Sequence, residues 1–338
     1  MSDLVVVDAD VLGRRRTGDE TYMLNLLREL GAAESGLRIA AVTRHPELVP
    51  PGIEPITLRT RVQEARIGWT LPRLLRRLGA ALVHTQYAIP FRCPCPAVVT
   101  IHDLSFEHGD AHMKLKDRLV FRAVVPRAAR RAARVLTVSD RTRLDLRGLY
   151  GVPDERIVVT PNGVDPAFTP GDGVSHGDYV LVVGAVQERK NPLAAVAASE
   201  AAGLPLVVAG PRKDEELARE LERRGARVTG YVDQAELLTL YRGAACLVQP
   251  SLFEGFGLPV LEAMACGTPV VAVPEPAAEE VAGDAAVWAT ESELANGIRR
   301  AVSERDRLVA AGLERAKLFS WAETARRTLE VYRAVLGW

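Results

Sequence analysis

The sequence predicts an α/β protein of two domains, each a doubly wound parallel sheet with helices on both faces. Three observations carry this. The chain has 338 residues, enough for two domains of ordinary size with separate cores. Short apolar runs of the kind that form buried parallel strands alternate with amphipathic stretches in both halves. Between the halves, Pro166, Pro170, Gly171, Gly173 and Gly177 cluster over residues 166–177, the composition of an interdomain hinge.

In the first half, strands are expected at residues 4–7, 37–43, 81–84, 97–101, 135–138 and 157–160. Helices are expected at 69–78 and 111–134, the second broken at Pro126. Residues 4–7 run into a Gly-bearing loop (Gly13, Gly18) and a helix through Leu24, Leu27 and Leu30, a Rossmann-like opening. No Gly-x-Gly-x-x-Gly follows, which counts against a nicotinamide or flavin enzyme. Ser139 suits a helix N-cap. In the second half, strands are expected at 179–183, 206–209, 227–228 and 244–248, with helices between them and a last helix at 321–336.

Composition narrows the function classes. Apolar residues make up 48% and charged residues 25%, as in a globular protein that folds in water. The formal net charge is +0, but residues 1–170 hold 25 Lys and Arg against 19 Asp and Glu, and the rest 18 against 24. A basic first half suits an anionic acceptor or an anionic membrane surface, and no nucleic-acid module is visible. The four cysteines (Cys93, Cys95, Cys246, Cys266) form no disulfide framework. Cys93-Pro94-Cys95 lacks a second pair at zinc spacing, so no metal site is expected. The first apolar run is too short for a signal peptide or a membrane span, and a cytoplasmic protein is expected.

The most informative stretch runs from Pro250 to Pro269 (PSLFEGFGLPVLEAMACGTP). It follows an apolar strand pattern, and Gly255 and Gly257 let the loop backbone approach a ligand. Pro259 suits a helix start, where its missing N–H costs nothing. Free amides there favour a phosphate. Glu254 lies in the loop and Glu262 one turn into the helix. Carboxylates on either side of a phosphate site suit the hydroxyls of two sugars, which describes a nucleotide sugar.

This stretch, Pro-Ser-x-x-Glu-Gly-Phe-Gly-Leu-Pro-x-x-Glu-Ala-Met-Ala-x-Gly-x-Pro, resembles the signature of the retaining glycosyltransferases of family 4, which have the GT-B fold of two Rossmann-like domains facing a cleft. Thr100-Ile101-His102-Asp103, Thr160-Pro161-Asn162-Gly163 and Arg189-Lys190-Asn191 extend the resemblance over nearly the whole chain. It implies an acceptor-side domain over residues 1–168, a nucleotide-sugar domain over 169–320 and a helix over 321–338 returning to the first. It implies that Glu254 holds donor-sugar hydroxyls and Glu262 the ribose. The glycines Gly184 and Gly210 and the amides of Gly255, Phe256, Gly257 and Leu258 then cradle the donor, and Tyr231 and Val232 flank the base. Arg189 and Lys190 stabilise the departing diphosphate, so neither cofactor nor metal is required. His102 touches the transferred sugar, Gly18 faces the donor phosphates, and Asp103 lies on the acceptor side. His84, Gln86 and Tyr87, at the end of the preceding strand, are expected from that position to line the acceptor side as well. Two positions depart from the family: Ala185 stands where many members carry arginine, and Gly18 lacks the commoner Gly-x-Gly partner.

The expected reaction moves a hexose, with GDP-mannose favoured as donor, to a carbohydrate, lipid-linked or small-molecule acceptor. The alternatives are a phosphorylase or epimerase on the same fold, and a non-catalytic nucleotide-sugar-binding protein. Residues 114–134 hold eight basic side chains and one acid, Asp117. This is either a solvated helix face or a patch for peripheral contact with anionic lipid at the inner membrane face.

Overall fold

The computed structural model describes residues 3–14, 17–109, 115–171 and 177–338. The expected helix start at 111–114, which includes Lys114, and the middle of the Pro/Gly cluster at 172–176 lie outside these. The described chain forms two compact units. One gathers the described chain as far as Gly163, except Gly109, together with Ser320–Trp338, and the other is Val164–Phe319 with Gly109.

The first unit is built on β1 (Leu4–Asp8), β2 (Arg38–Thr43), β3 (Glu54–Thr57), β4 (Leu82–Gln86), β5 (Ala97–Ile101), β6 (Arg134–Thr137) and β7 (Ile157–Val159). They form one sheet in the order β3-β2-β1-β4-β5-β6-β7, parallel at every pairing. β1 and β5 are buried at every residue, as strands covered on both faces must be. β3 was not expected from the sequence: it is an exposed edge strand, so its Glu54-Pro55-Ile56-Thr57 lacks an apolar run. The helix Leu115–Arg131 contains Pro126 and runs through it without ending. The carbonyl that Pro126 leaves unbonded belongs to Arg122, an exposed residue, where water can take the lost hydrogen bond. Ser139 caps the helix Asp140–Tyr150, accepting from the Thr142 amide at 3.2 Å.

The helix Trp321–Leu336 is part of this unit. Its Tyr332 hydroxyl lies 2.6 Å from His84 Nδ1 inside the core, and His84 Nε2 lies 2.7 Å from Thr100 Oγ1. Burial first, then the nearby charge of His102, pushes the His84 imidazole down to about 3. It is a neutral structural histidine, bonded at both nitrogens.

The second unit holds β8 (Val180–Val183), β9 (Leu206–Ala209), β10 (Arg227–Gly230), β11 (Cys246–Gln249), β12 (Val270–Ala272) and β13 (Ala286–Trp288). Their order is β10-β9-β8-β11-β12-β13, again all parallel. The three-residue strands β12 and β13 were not expected from the sequence. Each sheet reverses its strand order once, between β1 and β4 and between β8 and β11. Loops leaving the carboxyl ends on either side of such a point diverge and open a crevice for a ligand. Among the described residues no helix is long and apolar enough to cross a membrane.

Candidate functional site

In the second unit, two loops meet at the reversal between β8 and β11. The first leaves β8 through Gly184 and ends in a tight turn, Glu188–Lys190, closed by Asn191 in the left-handed region (φ 46°). The second leaves β11 and carries Ser251 to Gly257. Leu252 N donates to Arg189 O at 3.0 Å, and Arg189 Nη1 donates to Phe253 O at 2.5 Å. This stitching brings Lys190 Nζ to 2.6 Å from Glu254 Oε1. Gln249, the buried last residue of β11, donates its Nε2 to the same carboxylate oxygen and to Ser251 Oγ at 3.0 Å. Arg189 Nη1 lies 3.9 Å from Glu254 Oε2.

Glu254 is only 6% exposed. Burial pushes its carboxyl up, but the Lys190 ammonium, the Arg189 guanidinium and the hydrogen bonds outweigh burial and hold it below the ordinary carboxylate range. The group is therefore ionised, and two cations surround one anion.

The helix Leu258–Ala265 starts beside this pair. Gly257 caps it at φ 110°, a backbone angle that favours glycine; a Cβ there would meet nothing closer than 3.6 Å, so the angle and not crowding makes the demand. The first intrahelical bond is Val260 N to Gly257 O at 3.0 Å, so the amides of Gly255, Phe256, Gly257 and Leu258 precede the ladder. Phe253 and Phe256 are buried anchors on either side of Glu254, and Phe256 packs edge-on against Phe319 with ring centroids 5.8 Å apart. Further along, Glu262 Oε2 accepts from the buried Tyr241 hydroxyl at 2.8 Å. Burial pushes the Glu262 carboxyl up to about 7; the Tyr241 hydrogen bond opposes this, and the Asp165 charge adds to it.

Gly184 and Gly210 end adjacent strands with φ of 143° and 152°. A Cβ on Gly210 would stand 2.0 Å from Gly184 O, so the two loops pack backbone to backbone. The Lys190 stem passes 3.5 Å from where a Gly184 Cβ would be. Ala185 is buried. Tyr231 and Val232 follow β10, two strands out from β8 in the sheet order, with the Tyr231 side chain largely exposed. The structure thus brings Arg189, Lys190 and Glu254 into contact, sets Glu262 on the adjoining helix, and places Tyr231 and Val232 farther along the same edge.

In the first unit, His102 follows β5 and is buried. Its Nε2 lies 2.7 Å from Gln86 Oε1 at the end of β4. The Tyr22 ring meets it edge-on at 4.7 Å, and the Tyr87 ring packs at 5.6 Å. Burial lowers its proton affinity while Asp19 and Asp103 pull the other way, and the net shift is down. Tyr87 has φ 58°, an uncommon conformation for a bulky residue. Asp103 turns back on its own chain: its Oδ1 accepts from Ser105 N at 3.0 Å and Ser105 Oγ at 2.9 Å. Gly18 lies in the first turn of the helix Thr17–Ala32, and a Cβ there would meet nothing within 4 Å.

Sequence reasoning missed two features. One is Gln249, whose role shows only once β11 is seen to deliver it to Glu254. The other is a buried charge cluster at the end of β1. Arg66, fully buried, donates to Asp8 Oδ1 at 2.6 Å and to Val42 O at 3.2 Å. Asp10 pairs with Arg44 at 2.9 Å and with Arg14. No sequence signal joins Asp8 to Arg66 across 58 positions.

Comparison with known proteins agrees with the geometry. A model for glycosyltransferase family 4 matches residues 16–168, and one for group 1 glycosyl transferases matches residues 174–317. The O-antigen chain mannosyltransferase B of Escherichia coli is 31% identical over 267 residues, covering 70% of this chain and 70% of that protein. The chain belongs to glycosyltransferase family 4. A second relative of this glycosyltransferase, the D-inositol 3-phosphate glycosyltransferase of Segniliparus rotundus, is 32% identical over 305 residues, covering 80% of this chain and 64% of its own length. Among solved structures, sucrose-phosphate synthase from Thermosynechococcus elongatus superposes with a TM-score of 0.80 at 21% identity over the full length of both chains. The Anabaena protein HepE in complex with UDP-glucose gives a TM-score of 0.76 at 16% identity, over 99% of this chain and 100% of that one. The glycosyltransferase has the GT-B fold.

Proposed function

We propose that this glycosyltransferase moves a hexose from a nucleoside-diphosphate sugar to a carbohydrate, lipid-linked or small-molecule acceptor, with retention of configuration and without a metal ion. The observation that carries the reading is the Lys190–Glu254 contact at 2.6 Å, set at a sheet reversal and beside a helix N-terminus. Glu254, fixed by Lys190 and Gln249, accepts from hydroxyls of the transferred sugar. Glu262 accepts from the ribose. The amides of residues 255–258, with Lys190 and Arg189, hold the diphosphate and stabilise the charge that grows on it as the glycosidic bond breaks. The leaving phosphate takes the acceptor proton on the same face, and no protein nucleophile is assigned. Tyr231 and Val232 flank the base, and Gly184 and Gly210 keep the two loop backbones close. The first unit supplies the acceptor side, with Tyr87, Asp103 and the neutral His102.

The donor assigned is GDP-mannose, in keeping with the mannosyltransferase from Escherichia coli, although HepE was solved with UDP-glucose. Thermal-shift measurement with GDP, UDP and ADP tests this, since a nucleotide that binds the folded state raises Tm by mass action. GDP is expected to give the largest shift; a larger UDP shift transfers the assignment to a UDP-sugar, and no shift with any of the three overturns the donor reading. NMR of the product's anomeric centre tests retention.

The helix Leu115–Arg131 adds a peripheral membrane contact to the proposal. Leu115 and Leu119 are exposed by 63% and 58%, at an i,i+4 spacing that lays them along one face, among Lys116, Arg118 and Arg122. Cosedimentation with anionic vesicles, lost in high salt and in Leu119→Glu, is expected; equal binding to neutral vesicles removes this part.

A further inference from the structure

Cys93 and Cys95 lie in the loop from β4 to β5, on the amino-terminal side of β5 and so at the opposite end of that strand from His102. They line an open depression of about 540 Å³ with Phe91, Arg92 and Arg131. Both are partly exposed and free. Only Pro94 separates the two cysteines in the chain, so both sulfurs stand on the same short stretch of the loop. Arg76, on the helix Leu71–Leu78, crosses to donate to Arg92 O at 3.2 Å and adds its charge beside Cys93. The depression thus holds two neighbouring, partly exposed cysteines beside Arg92 of the loop itself and Arg131 of the helix Leu115–Arg131, with Arg76 tied to the loop at Arg92.

We infer that Cys93 and Cys95 form a peroxide-sensitive dithiol, in which Cys93 is the attacking sulfur and Cys95 resolves the product to an intrachain disulfide. The hydrogen bonds from Cys95, against burial and with help from Arg76, bring the Cys93 thiol down to about 7, whereas Cys95, the proton donor of the pair, is pushed up. The nucleophile is a thiolate. Cys93 S⁻ attacks one oxygen of hydrogen peroxide, the O–O bond breaks, and hydroxide leaves to take up a proton as water. The Cys95 sulfur then attacks the Cys93 sulfenic sulfur, gives up its proton, and a second water leaves. Two electrons pass from the sulfur pair to the peroxide, and a dithiol reductant returns them. Cys246 and Cys266 are buried, and burial holds both thiols up at about 12, so they stay reduced.

The full chain treated with equimolar hydrogen peroxide tests this by peptide mass mapping. The peptide carrying both sulfurs is expected to lose two hydrogens, to regain them with dithiothreitol, and to do so without dimer formation. Iodoacetamide at pH 7 is expected to label Cys93 about tenfold faster than Cys246 or Cys266. In Cys95→Ser, the sulfenic acid persists and is trapped by dimedone at Cys93. Unchanged mass in wild type, a disulfide between two chains, or dimedone capture at Cys95 in Cys93→Ser overturns the assignment.

Discussion

Replacing Lys190 by Ala removes an ammonium held 2.6 Å from Glu254, where the two side chains are 14% and 8% exposed. Breaking a buried ion pair from one side costs about 3–5 kcal/mol, because the remaining charge is stranded. Arg189, 3.9 Å from the other carboxylate oxygen, offsets part of this, so a loss near about 3 kcal/mol is expected. It should appear as a lower urea midpoint at unchanged m value. The catalytic effect has a different origin. Withdrawing one preorganised donor from developing charge lowers kcat by about 10²–10³-fold, and KM for the donor should change much less. The double variant Lys190→Ala/Glu254→Gln leaves no unpaired carboxylate, although Arg189 loses its charged partner; it should regain part of the stability and none of the kcat. Initial rates at saturating donor, with urea melts of both variants, separate the two effects. If kcat falls less than about threefold while KM rises, Lys190 binds ground and transition states alike, and its assignment to the leaving group is wrong.

The Glu262 carboxyl stands at about 7 in the folded protein against an ordinary 4.5. The folded state therefore binds this proton more tightly, and the group's stabilising contribution, full below pH 4.5, is lost as pH rises towards 7. Ribose binding needs the carboxylate, so calorimetric donor affinity should rise through about pH 7; Glu262→Gln should flatten that profile, and a persisting rise would point to another group. Gly210→Ala sets a Cβ 2.0 Å from the Gly184 carbonyl and should cost about 1–3 kcal/mol, read as a lower Tm, whereas an unchanged melt would mean the loops part freely. Gly18→Ala meets nothing within 4 Å, so stability should hold or improve by up to about 1 kcal/mol; a fall in kcat/KM without a fall in Tm then reports donor contact, and unchanged kinetics removes Gly18 from the donor site. Turnover should survive EDTA, and complete loss restored by Mg²⁺ or Mn²⁺ contradicts the metal-free reaction.

What the sequence disclosed was set by how locally each feature is encoded. Val-rich runs declare buried parallel strands because both faces must be apolar, so β1, β5, β8, β9 and β11 could be read directly. β3 could not, since an exposed edge strand imposes no pattern. β12 and β13 were missed although β7, equally short, was read. Pro126 misled because the rule against internal proline assumes a carbonyl with no other partner. At the site, the types and order of Lys190, Glu254 and Glu262 were legible. Their contacts were not: the Lys190–Glu254 pair spans 64 positions, and Gln249 reads as an ordinary strand end. Asp103 is a similar case: its place beyond β5 was legible, while the hydrogen bonds that its Oδ1 accepts from Ser105 were not.

The first unit is assembled from segments on both sides of Val164–Phe319, since the helix beginning at Trp321 sets the Tyr332 hydroxyl against His84. During synthesis, at about 5–20 residues per second, the whole of Val164–Phe319 is made before that hydroxyl exists. For on the order of ten seconds the nascent sheet carries an uncovered imidazole and an open flank, and the second unit can complete its own fold first. A gene fragment ending near Gly163 should accordingly yield aggregated material that co-expressed Ser320–Trp338 peptide rescues.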